Sequence, residues 1–242
     1  DGLDDVFIGA AKWEKNAVYI QQRNGQFTRT IQPALEADST WEDVSACWTD
    51  VNNDSYPDLV VASGGNEFYG NDIHLTPRLY LNDGQGRFTK KANAFEAIFV
   101  NASVVISYDF NGDGYADLFL GGRCVPWNYG EAPRSYLLLN DGKGNFKDVT
   151  EQIAPDLPYV GFVKHAQWID LDNDKDNDLV LAMEWDGIIA FINNEGYFKK
   201  VHLTDKKGWW NFIYPVDINL DGQIDLVAGN LGLNSRLTAS AQ

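Results

Sequence analysis

Residues on which reaction chemistry usually turns are scarce here: two cysteines, three histidines and one methionine in 242 residues. Cys47 and Cys124 each lie beside an apolar strand, which makes buried thiols the default and a mutual disulfide the lesser alternative. His74, His165 and His202 are far apart and show no zinc spacing. GxSxG, P-loop and HExxH signatures are all missing. Positive charge is short as well. Nineteen Lys and Arg stand against 35 Asp and Glu, a net charge of −16 at pH 7, so no basic stripe exists to neutralise phosphates and nucleic acid is excluded as a partner. Apolar runs are too short to span a membrane, and no leader is visible. The chain opens in mid-motif, so its natural start is expected to lie upstream.

What the chain does have is 44% apolar and 13% aromatic residues, enough for a sizeable core, and one recurrent acidic loop. In DFNGDGYAD the side chains of Asp109, Asn111, Asp113 and Asp117 fall at positions one, three, five and nine. Hard oxygen donors this close together, on a loop that Gly112 and Gly114 allow to curl, suit a calcium ion with its six to eight oxygens. A single copy would be matched by a solvated acidic turn. Repetition decides between them: Asp50, Asn52, Asp54 and Asp58 take the same places, as do Asp170, Asp172, Asp174 and Asp178, and Asp217, Asn219, Asp221 and Asp225. A cut copy opens the chain, with Asp1 and Asp5 at positions five and nine. Position seven would contribute its carbonyl from Tyr56, Tyr115, Asp176 and Gln223 in turn.

An EF-hand would carry a bidentate Glu at position twelve, where this chain has Val61, Leu120, Leu181 and Ala228. The ninth-position Asp is followed by a β-prone apolar run (LVVA, LFLG, LVLA, LVAG), so the loop joins strands. Fifteen of the acidic residues belong to these ladders, and four calcium ions would halve the net charge of −16. The acidity is therefore site chemistry. Loops lacking the bidentate Glu tend toward the weak, extracellular affinity range, which favours an exported protein.

The ladders begin at 50, 109, 170 and 217, a period near fifty. Each unit carries a strand into the loop, a strand out of it, and a third and fourth strand joined by an Asn-Asp-Gly or Asn-Gly turn with Phe beyond, as in RLYLNDGQGRFTK and SYLLLNDGKGNFKDV. Four antiparallel strands per unit make a propeller blade. The expected fold is an all-β propeller of about four and a half blades, in units near 1–40, 41–100, 101–160, 161–208 and an incomplete 209–242. A propeller left open would expose strand edges, so a longer parent chain is expected.

The DxNxDGxxDL loop, the strand after it and the NDGxGxF hairpin resemble the FG-GAP/VCBS repeats of integrin-α-like propellers. SGGNE at 63–67, GGR at 121–123, the run from Pro133 to Thr150 and VAGNLGLNS near the end are similar to exported bacterial proteins associated with an ASPIC/UnbV domain and related to cartilage acidic protein. The resemblance covers essentially the whole chain. It implies a calcium-binding, seven-bladed propeller outside the cytoplasm and implies no reaction. Position six departs from the pattern at Ser55 and Lys175, where Gly is usual; left-handed backbone there costs a non-Gly residue on the order of 1 kcal/mol.

Strand direction puts the Asp loops and Asn-Gly turns on one face. The opposite face collects residues 63–77, 121–133 and 182–187, with Glu67, Tyr69, Arg123, Trp127, Tyr129 and Trp185 as candidate ligand contacts. Packing between blades is the competing role for each tryptophan, more so for Trp48 and Trp168 inside strands. The first reading is a non-catalytic binding or scaffold propeller of the cell surface, recognising a protein or glycan. A polysaccharide-acting enzyme, with carboxylate pairs such as Glu67 with Asp72 or Glu184 with Asp186, is the alternative. An outer-membrane assembly held by a lipid anchor is compatible with the first.

Overall fold

The computed structural model describes residues 2–232. The expected ligand Asp1 and the last part of VAGNLGLNS lie outside them. The chain is all-β, in four antiparallel sheets that form propeller blades. The first unit has three strands, β1 (Val6–Ile8), β2 (Ala17–Gln21) and β3 (Phe27–Thr30). The second has β4 (Asp43–Thr49), β5 (Asp58–Ser63), β6 (Arg78–Asn82) and β7 (Phe88–Lys90). The third has β8 (Ala102–Tyr108), β9 (Asp117–Gly122), β10 (Tyr136–Asn140) and β11 (Phe146–Asp148). In the fourth, β12 (Phe162–Ile169), β13 (Asp178–Asp186), β14 (Ile188–Asn194) and β15 (Tyr197–His202) make the blade, and β16 (Gly208–Val216) with β17 (Asp225–Asn230) begins the next. In each unit the strands pair in chain order, every pair antiparallel.

The apolar run after each ladder explains the stacking. Successive side chains of a strand point to opposite faces, so a strand buried on both faces reads as continuous apolar sequence. In β5, Leu59 and Val61 face the first unit, packing with Val18 and Leu35, while Val60 and Ala62 face the third, packing with Leu118 and Leu138. In β9, Leu118 and Leu120 face back and Phe119 faces forward; in β13, Leu179 and Leu181 join Phe119 while Val180 and Ala182 meet Ile213. Each core is thus shared by two neighbouring sheets. A fully buried Leu, Val or Phe contributes about 1.5–3 kcal/mol here, and Phe119→Ala should cost about 3–5 kcal/mol.

First strands pack on first strands, β4 against β8, β8 against β12 and β12 against β16, so they stand innermost. Each carries a break in register near its start: between Asp43 and Ser45, Ala102 and Val104, Val163 and His165, and Trp210 and Phe212. A recurrent bulge at one rim re-aims the side chains there. One expectation is corrected in detail. Residues 182–186 are the end of a nine-residue strand β13, extended because Glu184 and Asp186 pair with Trp209 and Gly208 of β16; only Gly187 turns. Links between units hold short helical turns at Pro33–Glu36 and Thr150–Ile153.

Candidate functional site

The four described Asp ladders share one backbone. Positions four and six are left-handed in every copy: Asn53 and Ser55 (φ 56° and 69°), Gly112 and Gly114 (72° and 89°), Asn173 and Lys175 (63° and 82°), Leu220 and Gly222 (60° and 85°). Two left-handed residues fold the loop so that its amides point inward. In the second unit Asp54 N donates to Asp50 Oδ1 at 3.2 Å, Ser55 N to Asp50 Oδ2 at 2.8 Å and Tyr56 N to Asp54 Oδ1 at 2.9 Å. The third unit repeats this around Asp109 and Asp113 at 3.1, 2.8 and 2.9 Å, and Asp217 and Asp221 do so in the fifth.

Where position three is Asn, its amide donates to the carboxylate at position five: Asn52 to Asp54 and Asn111 to Asp113 at 2.9 Å, Asn219 to Asp221 at 2.8 Å. One oxygen per loop is thereby held by a neutral donor. The fourth unit has Asp172 there and no such donor. Ligand oxygens of Asp170, Asp172 and Asp174 all lie within 4.8 Å of one another, and Asp170 Oδ1 is buried without a hydrogen-bond partner. Three hard anionic donors this close, one of them orphaned, fit a divalent cation with oxygen ligands.

The ninth-position Asp has a second task. Asp117 is fully buried, and its carboxylate accepts from Phe110 N at 3.4 Å and Asn140 N at 2.8 Å, tying the loop to strand three. Asp58 does the same for Val51 and Asn82, and Asp178 for Leu171 and Asn193. Burial is the main force pushing Asp117 up to about 7 and Asp178 up to about 6; the amide bonds oppose it, and the neighbouring loop carboxylates add to it.

The Asn-Gly turns close the same rim, as strand direction requires. Asn140 Nδ2 donates to Ala116 O of its own loop at 3.0 Å and to Val51 O of the preceding loop at 2.9 Å. Asn193 bridges Phe110 O and Asn177 O in the same way. The rings of Tyr56 and Tyr115 lie where a Cβ on Gly84 or Gly142 would stand, which is why those turns need glycine. Asn53 Nδ2 reaches Gly114 O at 3.2 Å, and Asn173 Nδ2 reaches Gln223 Oε1 at 2.6 Å, so neighbouring loops touch.

The opposite rim holds a cavity of about 550 Å³ framed by three units, whose lining includes Glu42, Asn101, Arg123, Trp127, Lys164 and Glu184. Of the sequence candidates, Arg123, Trp127 and Tyr129 reach this cavity, and Trp185 stands edge-on to Tyr129 at 5.1 Å. Tyr69 packs on Trp127 at 5.5 Å, and Trp127 N donates to Asn66 Oδ1 at 3.0 Å, so these aromatics also bridge blades. Tyr129 OH donates to Glu184 Oε1; burial first, then that bond, pushes the phenol up to about 12. Trp127 and Trp185 are exposed and hold left-handed backbone at φ 66° and 72°, a conformation bulky residues rarely adopt. Glu67 stands apart, paired with Lys12 at 2.7 Å, and Asp72 caps His74.

Sequence reasoning missed Glu42, Asn101 and Lys164. Strand direction held the signal, because a first strand starts on the rim where the second ends. Trp48 and Trp168 are packing residues, Trp168 lying against Tyr108, Phe110 and Phe198. Both cysteines are free, and Cys47 is pushed up to about 12 by burial. His165 Nδ1 accepts from Ile213 N at 3.3 Å, and burial lowers its pKa. No helix among the described residues is long and apolar enough to cross a membrane.

No curated protein sequence matches the chain. Among solved structures it is similar to the Photorhabdus luminescens Tc holotoxin pore, at 17% identity and a TM-score of 0.45, over 93% of this chain and 10% of that one. The chain thus spans about a tenth of that chain's length. The FG-GAP-like repeat matches at residues 1–61, 50–120, 109–181 and 170–228, each match running from one Asp ladder into the next. Four consecutive copies account for nearly all of the sequence, and the chain belongs to the FG-GAP-like repeat family.

Proposed function

We propose that this chain is a calcium-stabilised binding propeller whose metal loops brace one rim and whose opposite rim recognises a partner. The metal ligands would be the side chains at positions one, three, five and nine of each ladder with the carbonyls of Tyr56, Tyr115, Asp176 and Gln223. A cation there would offset the mutual repulsion of the loop carboxylates, and would join two strands of a blade through nine residues of loop. The ion's part is structural. The residues themselves curl the loop through left-handed positions four and six, aim its amides, and anchor it to strand three through the buried Asp.

The observation that carries this reading is the fourth unit, where three carboxylates converge and Asp170 Oδ1 has no partner. Units near 1–40, 41–100, 101–160, 161–208 and 209 onward would each be a blade of a seven-bladed propeller. The finer likeness to exported proteins associated with ASPIC/UnbV domains supports a place on the cell envelope or outside the cell, consistent with loops of the weak calcium class. The partner, a protein or glycan, would meet the rim of Arg123, Trp127, Tyr129 and Trp185, with Tyr69 and Glu67 at its edge.

Calcium calorimetry tests the loops. About four ions should bind per chain, and Asp170→Ala should remove one of them. Binding of no calcium, or an unchanged stoichiometry in that variant, contradicts the assignment.

A further inference from the structure

We propose that the cavity on the rim away from the Asp loops is a saccharide site, with Arg123, Glu42 and Asn101 as its hydrogen-bonding groups and Trp127 as its stacking surface. The proposal rests on the reading of that rim as the binding face and adds the chemistry of what binds.

Three polar groups of the cavity are unspent. Asn101 is only 3% exposed; its Nδ2 donates to Cys124 Sγ at 3.2 Å, and its Oδ1 has no partner. An acceptor buried without a donor is a cost that a ligand hydroxyl removes. The Arg123 guanidinium and the Glu42 carboxylate take part in no side-chain hydrogen bond or ion pair among the described residues, although eight ion pairs form elsewhere and a ninth, Lys164 with Glu184, forms in the cavity itself. Glu42 Oε2 lies over Gly65, 2.3 Å from where a Cβ would stand, so the absent side chain is what admits the carboxylate to the cavity. Glu184 and Lys164 are by contrast partly engaged, at 3.5 Å from each other and with Tyr129 on Glu184.

A ligand that meets all three free groups must donate to Asn101 and Glu42 and accept from Arg123 within one cavity. It must also present a C–H face to Trp127, which is 72% exposed. A pyranose ring does both. The volume of about 550 Å³ falls within the range of about 300–1,000 Å³ typical of small-ligand sites. An extended peptide is disfavoured, because peptides commonly add to an open strand edge and the end of β13 at this rim is already paired with β16 through Glu184 and Trp209. Nucleic acid is disfavoured by the net charge of −16. The unpaired guanidinium further favours a sugar carrying a carboxylate, since that pair is bidentate and charge-assisted.

The test is the full chain in calcium, applied to an oligosaccharide array of neutral, N-acetylated and uronic sugars beside an array of short peptides. At least one saccharide should bind, uronic sugars best, and Arg123→Ala and Glu42→Gln should each weaken it roughly tenfold with melting temperature unchanged. If saccharides bind equally well to both variants, the cavity is not their site. If peptides bind and the variants lose them while no sugar binds, the rim stands as a binding face and the saccharide assignment is wrong. Failure of both arrays overturns both readings.

Discussion

The two rims of this molecule are made of the same strands and obey different rules. On the Asp rim, four loops repeat one left-handed pattern, three of them repeat one set of inward amides, and one buried Asp accepts two backbone bonds in the second, third and fourth units. On the other rim the connections from second to third strand run from the single residue Gly187 to the long segments 64–77 and 123–135, and the aromatic contacts from Tyr69 through Trp127 and from Tyr129 to Trp185 differ at every blade. A repeated backbone demands repeated residues, so the first rim is constrained in every unit. The second is held by rings packed tilted or edge-on across blades and is free to become a unique surface on a rigid scaffold.

Removing the buried Asp should separate the rims most sharply. Asp117→Ala strands the amides of Phe110 and Asn140 in the core and should cost about 2–6 kcal/mol by urea denaturation. Glu184→Ala, on the other rim, should cost well under half of that; equal costs would erase the distinction. The Asn pins come next. Asn193→Ala deletes its bonds to Phe110 O and Asn177 O and should cost about 2 kcal/mol, speeding amide exchange in two adjacent loops rather than one. Tyr129→Phe should cost about 1 kcal/mol and leave calcium affinity unchanged, since the bond it breaks lies on the far rim. The smallest effect has the opposite sign. Ser55→Gly and Lys175→Gly each relieve a left-handed residue and should stabilise the loop by about 0.5–1 kcal/mol in thermal melts.

The same contrast explains how much could be read in advance. Period and composition carried the repeating antiparallel unit, the strand order within it and the rim on which loops and Asn-Gly turns lie, because each is fixed by residues that recur. Left-handed position six followed from Gly114 and Gly222; position four, held by Asn53, Asn173 and Leu220 as well as Gly112, is not signalled by glycine and went unnoticed. The cavity was harder. Arg123, Trp127 and Tyr129 stood out in a long link, but Lys164 lies at the register break in β12, where the alternation of faces fails. Glu42 and Asn101 sit just before strands β4 and β8, and only the folded register brings them opposite Gly65 and Arg123. The length of β13 was obscured because its last residues pair with the following unit.

The central claim is that oxygen-lined loops holding a divalent ion fix the blades of this propeller. Its most direct test is thermal melting of one preparation in chelator and in calcium at about a hundred times the dissociation constant. Each occupied loop should add about 2.7 kcal/mol, so even one site should raise the midpoint by at least about 5 °C, and four should raise it several times more. A midpoint that is the same in chelator and in calcium would contradict the account.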